Sequence, residues 1–235
     1  MTAKSAVAQI DAVLAGESDG CIVCGDCLEV MAAMPDGCVD AVVTDPPYGI
    51  GKAAWDNRYP FGCEEEFFRL AISVFVMPGP AAIPQCVATM GGRYRGIIAA
   101  HNRNGMTYSP LGFGNWIPIV VGGACPRGQD AFDFVVAGDK PDHPSPKPLA
   151  AIEWLIQNKT NPGDIILAPF CGSGTTCVAA KKLGRWWIGI EINERYCEIA
   201  RARVRDTEKP LFDPSAPVVK PIPHRPLPFE TEGRS

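Results

Sequence analysis

The tetrapeptide Asp45-Pro46-Pro47-Tyr48 carries groups that could bind and position a planar amino compound. Asp45 supplies a carboxylate acceptor, the prolines supply backbone carbonyls without N–H groups, and Tyr48 supplies an aromatic face. Because two consecutive prolines also fix φ, these groups are held stiffly. The set can accept hydrogen bonds from an exocyclic amino group while the ring stacks on a flat heterocycle. The alternative is a strand end followed by an ordinary proline turn.

The residues before this tetrapeptide predict a short buried strand. Positions 39–44 form an apolar run rich in β-branched side chains, preceded by Asp36-Gly37 and stopped by the prolines. Open α/β sheets bind their ligands beyond the carboxyl ends of their strands. Asp45 is therefore predicted to lie where a ligand would bind.

A second segment, residues 165–191, has the pattern strand, glycine turn, helix, strand and acid. Gly172 and Gly174 let the backbone approach a ligand closely, and the helix after them presents free N–H groups. Glu191 ends the second strand 17 residues beyond Gly174, where it can accept hydrogen bonds from ribose hydroxyls. The pattern predicts a nucleotide-binding unit. Cys177 stands in place of the third glycine of a dinucleotide motif, which argues against NAD or FAD.

Five segments together resemble the motifs of DNA amino-methyltransferases that use S-adenosylmethionine. In chain order they are Gly25-Asp26-Cys27-Leu28, Asp45-Pro46-Pro47-Tyr48, His143-Pro-Ser-Pro-Lys-Pro148, Pro169-Phe-Cys-Gly-Ser-Gly-Thr-Thr176 and Gly184-Arg-Trp-Trp-Ile-Gly-Ile-Glu191. Because the catalytic tetrapeptide precedes the glycine motif, this order resembles that of the permuted β group. The resemblance covers about residues 21–48 and 143–205. It implies an α/β, Rossmann-like methyltransferase fold: a mostly parallel sheet with helices on both faces and a circularly permuted motif order.

The resemblance also implies roles for individual residues, with S-adenosylmethionine as the cofactor. The catalytic set would be Asp45, Pro46, Pro47 and Tyr48. They would hold a base flipped out of double-stranded DNA, with Tyr48 stacking on the ring while Asp45 and the Pro46 carbonyl accept from its amino group. By the same resemblance, contacts to the cofactor would come from Asp26, Cys27, Asp45, His143, Ser145, Lys147, Phe170, Gly172, Ser173, Gly174, Thr175, Thr176, Glu191 and Asn193.

The implied reaction is methylation of N6 of adenine in DNA, with N4 of cytosine as the alternative acceptor. Family members that methylate adenine more often have Asp at the position of Asp45, and those that methylate cytosine more often have Ser. One departure stands out, because the family usually has Asp where this chain has Ala168. A catalytically weakened DNA-binding relative is therefore a second interpretation, and a nicotinamide-dependent oxidoreductase is a third.

The charge distribution points to nucleic acid more than the net charge of −4 does. Residues 67–129 contain no Asp or Glu and carry five arginines, among them Arg93, Arg95 and Arg103. Such segregation predicts that these three arginines face DNA phosphates. The alternative is a middle segment that is simply apolar and rich in glycine.

Ten cysteines raise the question of a metal site. Cys21, Cys24 and Cys27 have the spacing of a partial iron–sulfur ligand set, but a fourth ligand at a familiar spacing is missing. We therefore expect no metal and interpret these residues as small buried hydrophobes of a strand and turn. With no long apolar run and no signal peptide, we expect a cytoplasmic protein. The sequence leaves its oligomeric state open, with a homodimer as one candidate.

The remaining pattern predicts one catalytic domain over residues 1–207, with about 79–137 as the target-recognition region. Helices are expected at 64–77, from Pro148 onward, at 177–183 and at 194–205. Strands are expected at 22–25, 96–100, 117–121, 132–136, 165–169 and 186–191, with Pro118 placing its strand at an edge or bulge. Residues 208–235, a quarter of them proline, predict an extended or disordered tail.

Overall fold

The chain folds around one eight-stranded sheet. A computed structural model describes residues 3–47, 63–104, 107–109, 112–126, 128–136 and 147–208. In chain order the strands are β1 (Gly20–Cys24), β2 (Val39–Thr44), β3 (Ala71–Val76), β4 (Tyr94–Asn102), β5 (Thr107–Ser109), β6 (Gly112–Gly114), β7 (Trp116–Gly123), β8 (Ala131–Phe134), β9 (Ile165–Ala168) and β10 (Trp186–Glu191). The large sheet has the order β1-β10-β9-β2-β3-β7-β4-β8, and β5 pairs with β6 in a separate hairpin.

Seven α-helices cover the two faces of this sheet in the described part of the chain. They are α1 (Ala3–Leu14), α2 (Cys27–Ala32), α3 (Cys63–Leu70), α4 (Ile83–Met90), α5 (Leu149–Lys159), α6 (Thr175–Lys182) and α7 (Glu194–Asp206). The buried side chains of α1–α4 form one apolar core with the sheet. Those of α5–α7 form the other. A sheet buried on both faces explains why its central strands are almost wholly apolar.

Five neighbouring strands run in the same direction, and this parallel part organises the molecule. β1, β10, β9, β2 and β3 pair in parallel, whereas β7 is antiparallel to both β3 and β4. The pairing joins distant parts of the chain: Val42 of β2 lies opposite Leu167 of β9. The loops after the five parallel strands therefore meet along one edge of the sheet. The predicted mostly parallel α/β fold with helices on both faces is confirmed.

The prediction of a helix at 64–77 is wrong for residues 71–77. The helix α3 ends at Leu70, and the next residue begins β3. Ala71-Ile-Ser-Val-Phe-Val contains β-branched and aromatic side chains that favour strands. β3 pairs with β2 on one side and β7 on the other, so that backbone pairing outweighs the helical spacing of Phe67, Phe68 and Phe75.

The edge position expected for the strand with Pro118 is also wrong, because β7 lies between β3 and β4. The pairing of β7 with β3 stops at Val120, opposite Val76. Pro118 precedes Val120 by two residues, beyond the end of that pairing, and pairs only with Ala99 of β4. A residue with one neighbouring strand can lack an N–H at little cost, which explains how an internal strand accommodates proline here.

The other predicted elements lie close to their observed bounds, whereas α4 and the β5–β6 hairpin were not predicted. β1, β2, β4, β8, β9, β10, α5 and α7 are confirmed, and α6 begins two residues before the expected start. The first helix, α1, was not expected, although Ile10 and Val13 are buried in the core. Arg185 fixes α5 to the sheet, because its buried guanidinium donates to the carbonyls of Leu183 (2.6 Å) and Thr160 (2.7 Å).

Candidate functional site

The loops that follow β1, β10, β9 and β2 hold most of the residues predicted to act on a ligand. These four strands are consecutive neighbours in the sheet. Cys24 pairs with Glu191, Gly189 pairs with Ala168, and Val42 pairs with Leu167. Asp26, Glu191, the glycine turn after Ala168 and Asp45 therefore lie side by side along one edge. Parallel sheets bind ligands at this carboxyl edge.

Glu191 joins two of these loops through its carboxylate. Oε2 accepts from the backbone N–H of Gly172 (2.8 Å), and Oε1 accepts from the backbone N–H of Asn193 (2.9 Å). Burial raises the pKa of Glu191, and the N–H groups of Asn193, Gly172 and Ile192 partly offset that increase. A carboxylate has about four acceptor positions, so these two bonds leave capacity for ligand hydroxyls.

The glycine turn after β9 is held by a residue that sequence analysis did not identify. Gly172 and Gly174 have φ values of 53° and 84°, a region that favours glycine. A Cβ on Gly174 would lie 2.9 Å from the Cβ of Ala200 on α7. Arg203, also on α7, donates Nη1 to the Ser173 carbonyl at 2.6 Å and to Thr175 Oγ1 at 3.3 Å. Helical spacing in α7 shows which residues are buried but not which one reaches this turn.

Asp26 caps the helix that follows β1. Its Oδ1 accepts from the backbone N–H groups of Leu28 (2.9 Å) and Glu29 (3.2 Å), so that the cap does not use Oδ2. Cys27 forms a side-chain hydrogen bond with Cys63, which lowers the pKa of the Cys27 thiol. Both predicted cofactor residues thus lie at the carboxyl end of β1, next to Glu191.

Asp45 is paired with a lysine from a distant part of the chain. The Nζ atom of Lys147 lies 2.5 Å from Oδ2 of Asp45, and both side chains are largely withdrawn from solvent. Immediately before Asp45, the hydroxyl of Thr44 is buried, and no described group lies within hydrogen-bonding distance of it. The candidate catalytic residue is therefore paired with a cation, and it follows a residue whose buried hydroxyl has no described hydrogen-bond partner.

The structure brings together most of the predicted site, and some residues lie outside the described part. Tyr48, His143 and Ser145 fall outside it, as does the tail from residue 209. The described site residues lie at or just after the carboxyl ends of the parallel strands, except Lys147, which contacts Asp45 after β2. They are Asp26, Cys27, Asp45, Pro46, Pro47, Lys147, Phe170, Gly172, Ser173, Gly174, Thr175, Thr176, Glu191 and Asn193.

The three arginines expected to face DNA do not share one surface. Arg103 follows β4 and lies at the carboxyl edge, whereas Arg93 and Arg95 lie at the beginning of that strand. Because β4 runs in the same direction as β3, its beginning lies at the opposite edge from Asp45. The expectation that these arginines form a single phosphate-facing surface is therefore wrong. They are close in the sequence, but the nine-residue strand β4 separates Arg103 from Arg93 and Arg95.

Ala168 ends β9 and is 1% exposed. The family that the sequence motifs resemble usually has Asp at this position. Ala168 belongs to the apolar core that also contains Cys171 and Cys177, whose sulfur atoms lie 3.7 Å apart. The hydrogen bond with the Cys177 thiol raises the pKa of Cys171, and burial raises it further. The ten cysteines are free thiols. Within the described ranges, no three His, Cys, Asp or Glu side chains are grouped so as to hold a metal ion.

None of the described helices is long and apolar enough to cross a membrane.

Comparison with known proteins agrees with this geometry. Residues 122–202 match the sequence model of the N6_N4_Mtase family, described as DNA methylase. The chain is 28% identical over 208 residues to YubD of Escherichia coli (strain K12), a predicted methylase, covering 80% of this chain and 91% of that protein. It is 29% identical over 239 residues to the type II methyltransferase M.HpaI of Haemophilus parainfluenzae, covering 82% and 76%.

Solved structures share the same fold. The complex of M1.HpyAVI with S-adenosylmethionine superposes with a TM-score of 0.63 at 24% identity, covering 78% of this chain and 99% of that one. The cytosine-N4-specific PvuII DNA methyltransferase superposes with a TM-score of 0.63 at 16% identity, covering 84% and 88%. The chain thus has the fold of Rossmann-like DNA methyltransferases, and part of its sequence matches a DNA methylase family.

Proposed function

We propose that this protein transfers a methyl group from S-adenosylmethionine to N6 of adenine in a base flipped out of double-stranded DNA. The observation that carries the proposal is the shared edge of the sheet. Glu191 ends β10, the glycine turn follows β9 and Asp45 follows β2, and because these strands are neighbours, a cofactor bound along the edge would reach from Glu191 toward a base at Asp45. The order of these motifs in the chain supports assignment to the permuted β group.

The described residues fit S-adenosylmethionine. The half-buried Glu191 carboxylate is suited to the ribose hydroxyls, and Oδ2 of Asp26 is suited to the adenine amino group of the cofactor. Positive φ at Gly172 and Gly174 allows backbone N–H groups to approach the methionine end. When bound, the cofactor supplies a sulfonium-activated methyl group, which needs no nucleophile from the protein.

The chain's own contribution is to orient the acceptor and exclude water. Asp45 and the Pro46 carbonyl accept hydrogen bonds from the amino group, which directs its nitrogen lone pair toward the methyl carbon. On transfer, the amino nitrogen would gain the methyl group supplied by the cofactor and would lose one proton to water. Pro46 and Pro47 keep these acceptors rigid, so that little ordering remains to be done when the base enters. Tyr48 would stack on the ring.

Adenine is proposed over cytosine because the position of Asp45 is more often Asp in the related enzymes that methylate adenine and more often Ser in those that methylate cytosine. N4 of cytosine remains the second candidate acceptor, and the likeness in fold to the cytosine-N4-specific PvuII enzyme favours keeping it. Both amino groups are planar donors that one carboxylate and one carbonyl can hold. The distinction therefore has to come from the product.

The decisive experiment is product analysis. The protein is incubated with duplex DNA and S-adenosylmethionine labelled in the methyl group, and the DNA is digested to nucleosides. Label in N6-methyl-2′-deoxyadenosine is the expected result. Label only in N4-methylcytosine would replace the acceptor while retaining the mechanism. No label in the wild type, together with DNA binding and poor binding of S-adenosylmethionine, would identify a weakened DNA-binding relative and overturn the enzymatic proposal.

The surface proposed to meet DNA lies beyond β4 and β8, at the same edge as Asp45. It carries Arg103, the exposed Trp116 and the side chain of His101, which contacts Asp133 (2.8 Å) through Nδ1 and Asn115 (2.8 Å) through Nε2. Polar and aromatic side chains on short connections are typical of nucleic-acid contacts. Within residues 79–137, we assign the part at this edge to target recognition on this basis, in a catalytic domain of residues 1–207.

A further inference from the structure

A groove of about 940 Å³ lies at the edge of the sheet opposite to the candidate active site. Its walls include the beginning of β3 at Ile72, the beginning of β4 at Arg95 and the end of β7 at Gly123. Since β7 is antiparallel to its two neighbours, these three positions lie together at the edge from which the parallel strands start. The strand β3 has six residues, so about 20 Å separates this groove from the loop after β2.

Two arginines are held at the mouth of the groove. The guanidinium carbon of Arg93 lies 5.1 Å from the centre of the Phe68 ring. Nη1 of Arg95 donates to the carbonyls of Gly92 (3.0 Å) and Tyr94 (3.1 Å). Both side chains are exposed, and in the described part of the chain neither forms an ion pair with a carboxylate. Their positions are therefore set by an aromatic ring and by backbone carbonyls, and their charges are not neutralised.

A third cation lies in the wall of the groove and is buried. Lys159, the last residue of α5, is 4% exposed, and its Nζ donates to the Pro126 carbonyl at 3.2 Å. No Asp or Glu of the described residues lies within 4.0 Å of this ammonium group. A buried cation without an anionic partner is costly, because it loses hydration that one carbonyl does not replace. Asp130 is the one carboxylate among the groove residues, against three cations.

We propose that this groove binds a phosphate-bearing ligand with at least two negative charges. Guanidinium groups match phosphate oxygens with paired N–H donors, and a water-poor ammonium strengthens the attraction. The volume is in the range of small-molecule sites. The DNA duplex being methylated is not the ligand, because it would occupy the far edge. The phosphate comes either from a free oligophosphate or nucleotide, or from the backbone of a second, single strand of nucleic acid.

The test uses inorganic pyrophosphate as the probe and calorimetry as the measurement. Wild type is compared with the double variant Arg93→Gln, Arg95→Gln, and with the control Arg103→Gln, which removes an exposed arginine at the opposite edge. We expect the double variant to bind pyrophosphate at least about tenfold more weakly, and the control to bind it like wild type. Equal binding by wild type and the double variant, or absence of binding to wild type at millimolar concentrations, overturns the proposal.

Lys159→Met separates a ligand role from a structural one. Methionine retains most of the volume and apolar length of lysine but has no charge. If Lys159 serves the ligand, this variant binds pyrophosphate several-fold more weakly and is at least as stable as wild type toward urea. If Lys159 serves only to hold the Pro126 carbonyl, the variant is less stable and its pyrophosphate affinity is unchanged, which contradicts the inference.

The source of the phosphate is identified by competition with oligothymidylate, which offers backbone phosphates without adenine or cytosine. Displacement of pyrophosphate by oligothymidylate from wild type and from Arg103→Gln indicates a strand as the ligand. Pyrophosphate binding without displacement indicates a free oligophosphate or nucleotide. S-adenosylmethionine affinity is expected to be equal in wild type and the double variant, so that a failure of this inference is distinguishable from a failure of the proposed methyltransferase function.

Discussion

Lys147 and Asp45 form an ion pair with Nζ and Oδ2 2.5 Å apart, although 102 residues of chain separate them. Lys147 belongs to the segment that resembles a cofactor motif, and Asp45 to the one that resembles a catalytic motif. The lysine therefore fixes one oxygen of the carboxylate whose other oxygen can face the amino group of a base. This contact gives Lys147 a positioning role that its resemblance to a cofactor motif does not include.

Replacing Lys147 by Ala should reduce kcat while leaving S-adenosylmethionine affinity nearly unchanged. Asp45 would lose the contact that orients it, and a misplacement of about 1 Å can reduce the rate about hundredfold. Single-turnover methylation and calorimetry measure the two quantities. Lys147→Arg keeps the positive charge and should recover part of the rate. A variant with normal kcat and weak cofactor binding would instead return Lys147 to the cofactor role.

Removing the charge of Asp45 tests the same pair from the other side. Asp45→Asn retains the shape but removes the carboxylate that contacts the largely buried Lys147 ammonium, so we expect lower stability toward urea as well as loss of methylation. The double variant Asp45→Asn, Lys147→Met should recover stability without recovering activity. A double variant that is no more stable than Asp45→Asn would show that the pair has little energetic coupling.

Sequence patterns predicted the parallel strands of this fold better than its middle segment. The runs that became β2, β9 and β10 are buried on both faces, and such strands have an unambiguous apolar signal. The segment at Ala71 does not, because Phe67, Phe68, Ala71, Ile72 and Phe75 fit a helical period as well as a strand. Only pairing with β2 and β7 decides between them, and that pairing is long-range.

The site shows the same division. Glycine motifs and terminal acids are local, and they predict from the sequence alone that Gly172, Gly174 and Glu191 lie at the carboxyl edge, where the structure has them. The contacts of Lys147 with Asp45 and of Arg203 with Ser173 join different segments, and no local spacing contains them. The arginines of the acid-free segment were placed on one surface for the same reason: their shared composition is visible in the sequence, but the direction of β4 is not.

The affinity for S-adenosylmethionine should fall at acidic pH with a midpoint above the ordinary pKa of glutamate. Burial raises the pKa of Glu191 above 4.5, and only its carboxylate form can accept from both N–H groups and ribose hydroxyls. Binding is therefore present above the raised pKa and lost as pH falls through it. Calorimetry over a pH series measures this. Glu191→Gln should bind weakly at every pH, and an identical pH profile in that variant would exclude Glu191 as the titrating group.

The same group has the opposite effect on the free energy of unfolding. Because its folded pKa is raised, the folded protein holds a proton that the unfolded chain has already released between the two pKa values. Stability contributed by Glu191 therefore decreases as pH rises through that interval. Urea unfolding of wild type and Glu191→Gln across mildly acidic pH should differ in slope, with the steeper decrease in wild type.

Thr44→Val should stabilise the protein. The Thr44 hydroxyl is buried without a described hydrogen-bond partner, and valine has nearly the same shape without the polar atom. Leaving such a group unsatisfied costs about 1 kcal/mol or more, so we expect the free energy of unfolding to rise by about that amount. Thr160→Val is the matched control, because Thr160 Oγ1 donates to the Ile156 carbonyl at 2.6 Å and accepts from Arg185 Nε at 3.1 Å. The control should be destabilised.

The functional consequence of Thr44→Val shows whether its hydroxyl serves a ligand. If Thr44 contacts the cofactor or the flipped base, the variant gains stability but loses affinity for one of them. Calorimetry with S-adenosylmethionine and with duplex DNA separates the two ligands. A variant that is less stable than wild type would mean that the hydroxyl has a partner outside the described residues.

Ala168→Asp would introduce the residue usual in the family, and we expect it to destabilise this chain. Ala168 is packed in the core cluster that contains Cys171 and Cys177, and its β10 partner Gly189 has no room for a Cβ, which would lie 2.7 Å from Cys171 Sγ. A carboxylate placed there loses its hydration without gaining an evident donor, at a cost of about 2–5 kcal/mol. Urea unfolding measures the loss. Ala168→Asn is the control, since it adds the same bulk without the charge and should be destabilised less.

Cofactor binding by Ala168→Asp then decides how the departure from the family should be understood. If the apolar packing around Ala168 has replaced the pocket that an aspartate would organise, wild type binds S-adenosylmethionine and the variant binds it no more tightly. If instead the aspartate finds donors when the cofactor enters, the variant gains affinity, and the loss of stability is recovered in the presence of S-adenosylmethionine. That second outcome would show that wild type is a weakened member of the group, with an otherwise complete site lacking one acid.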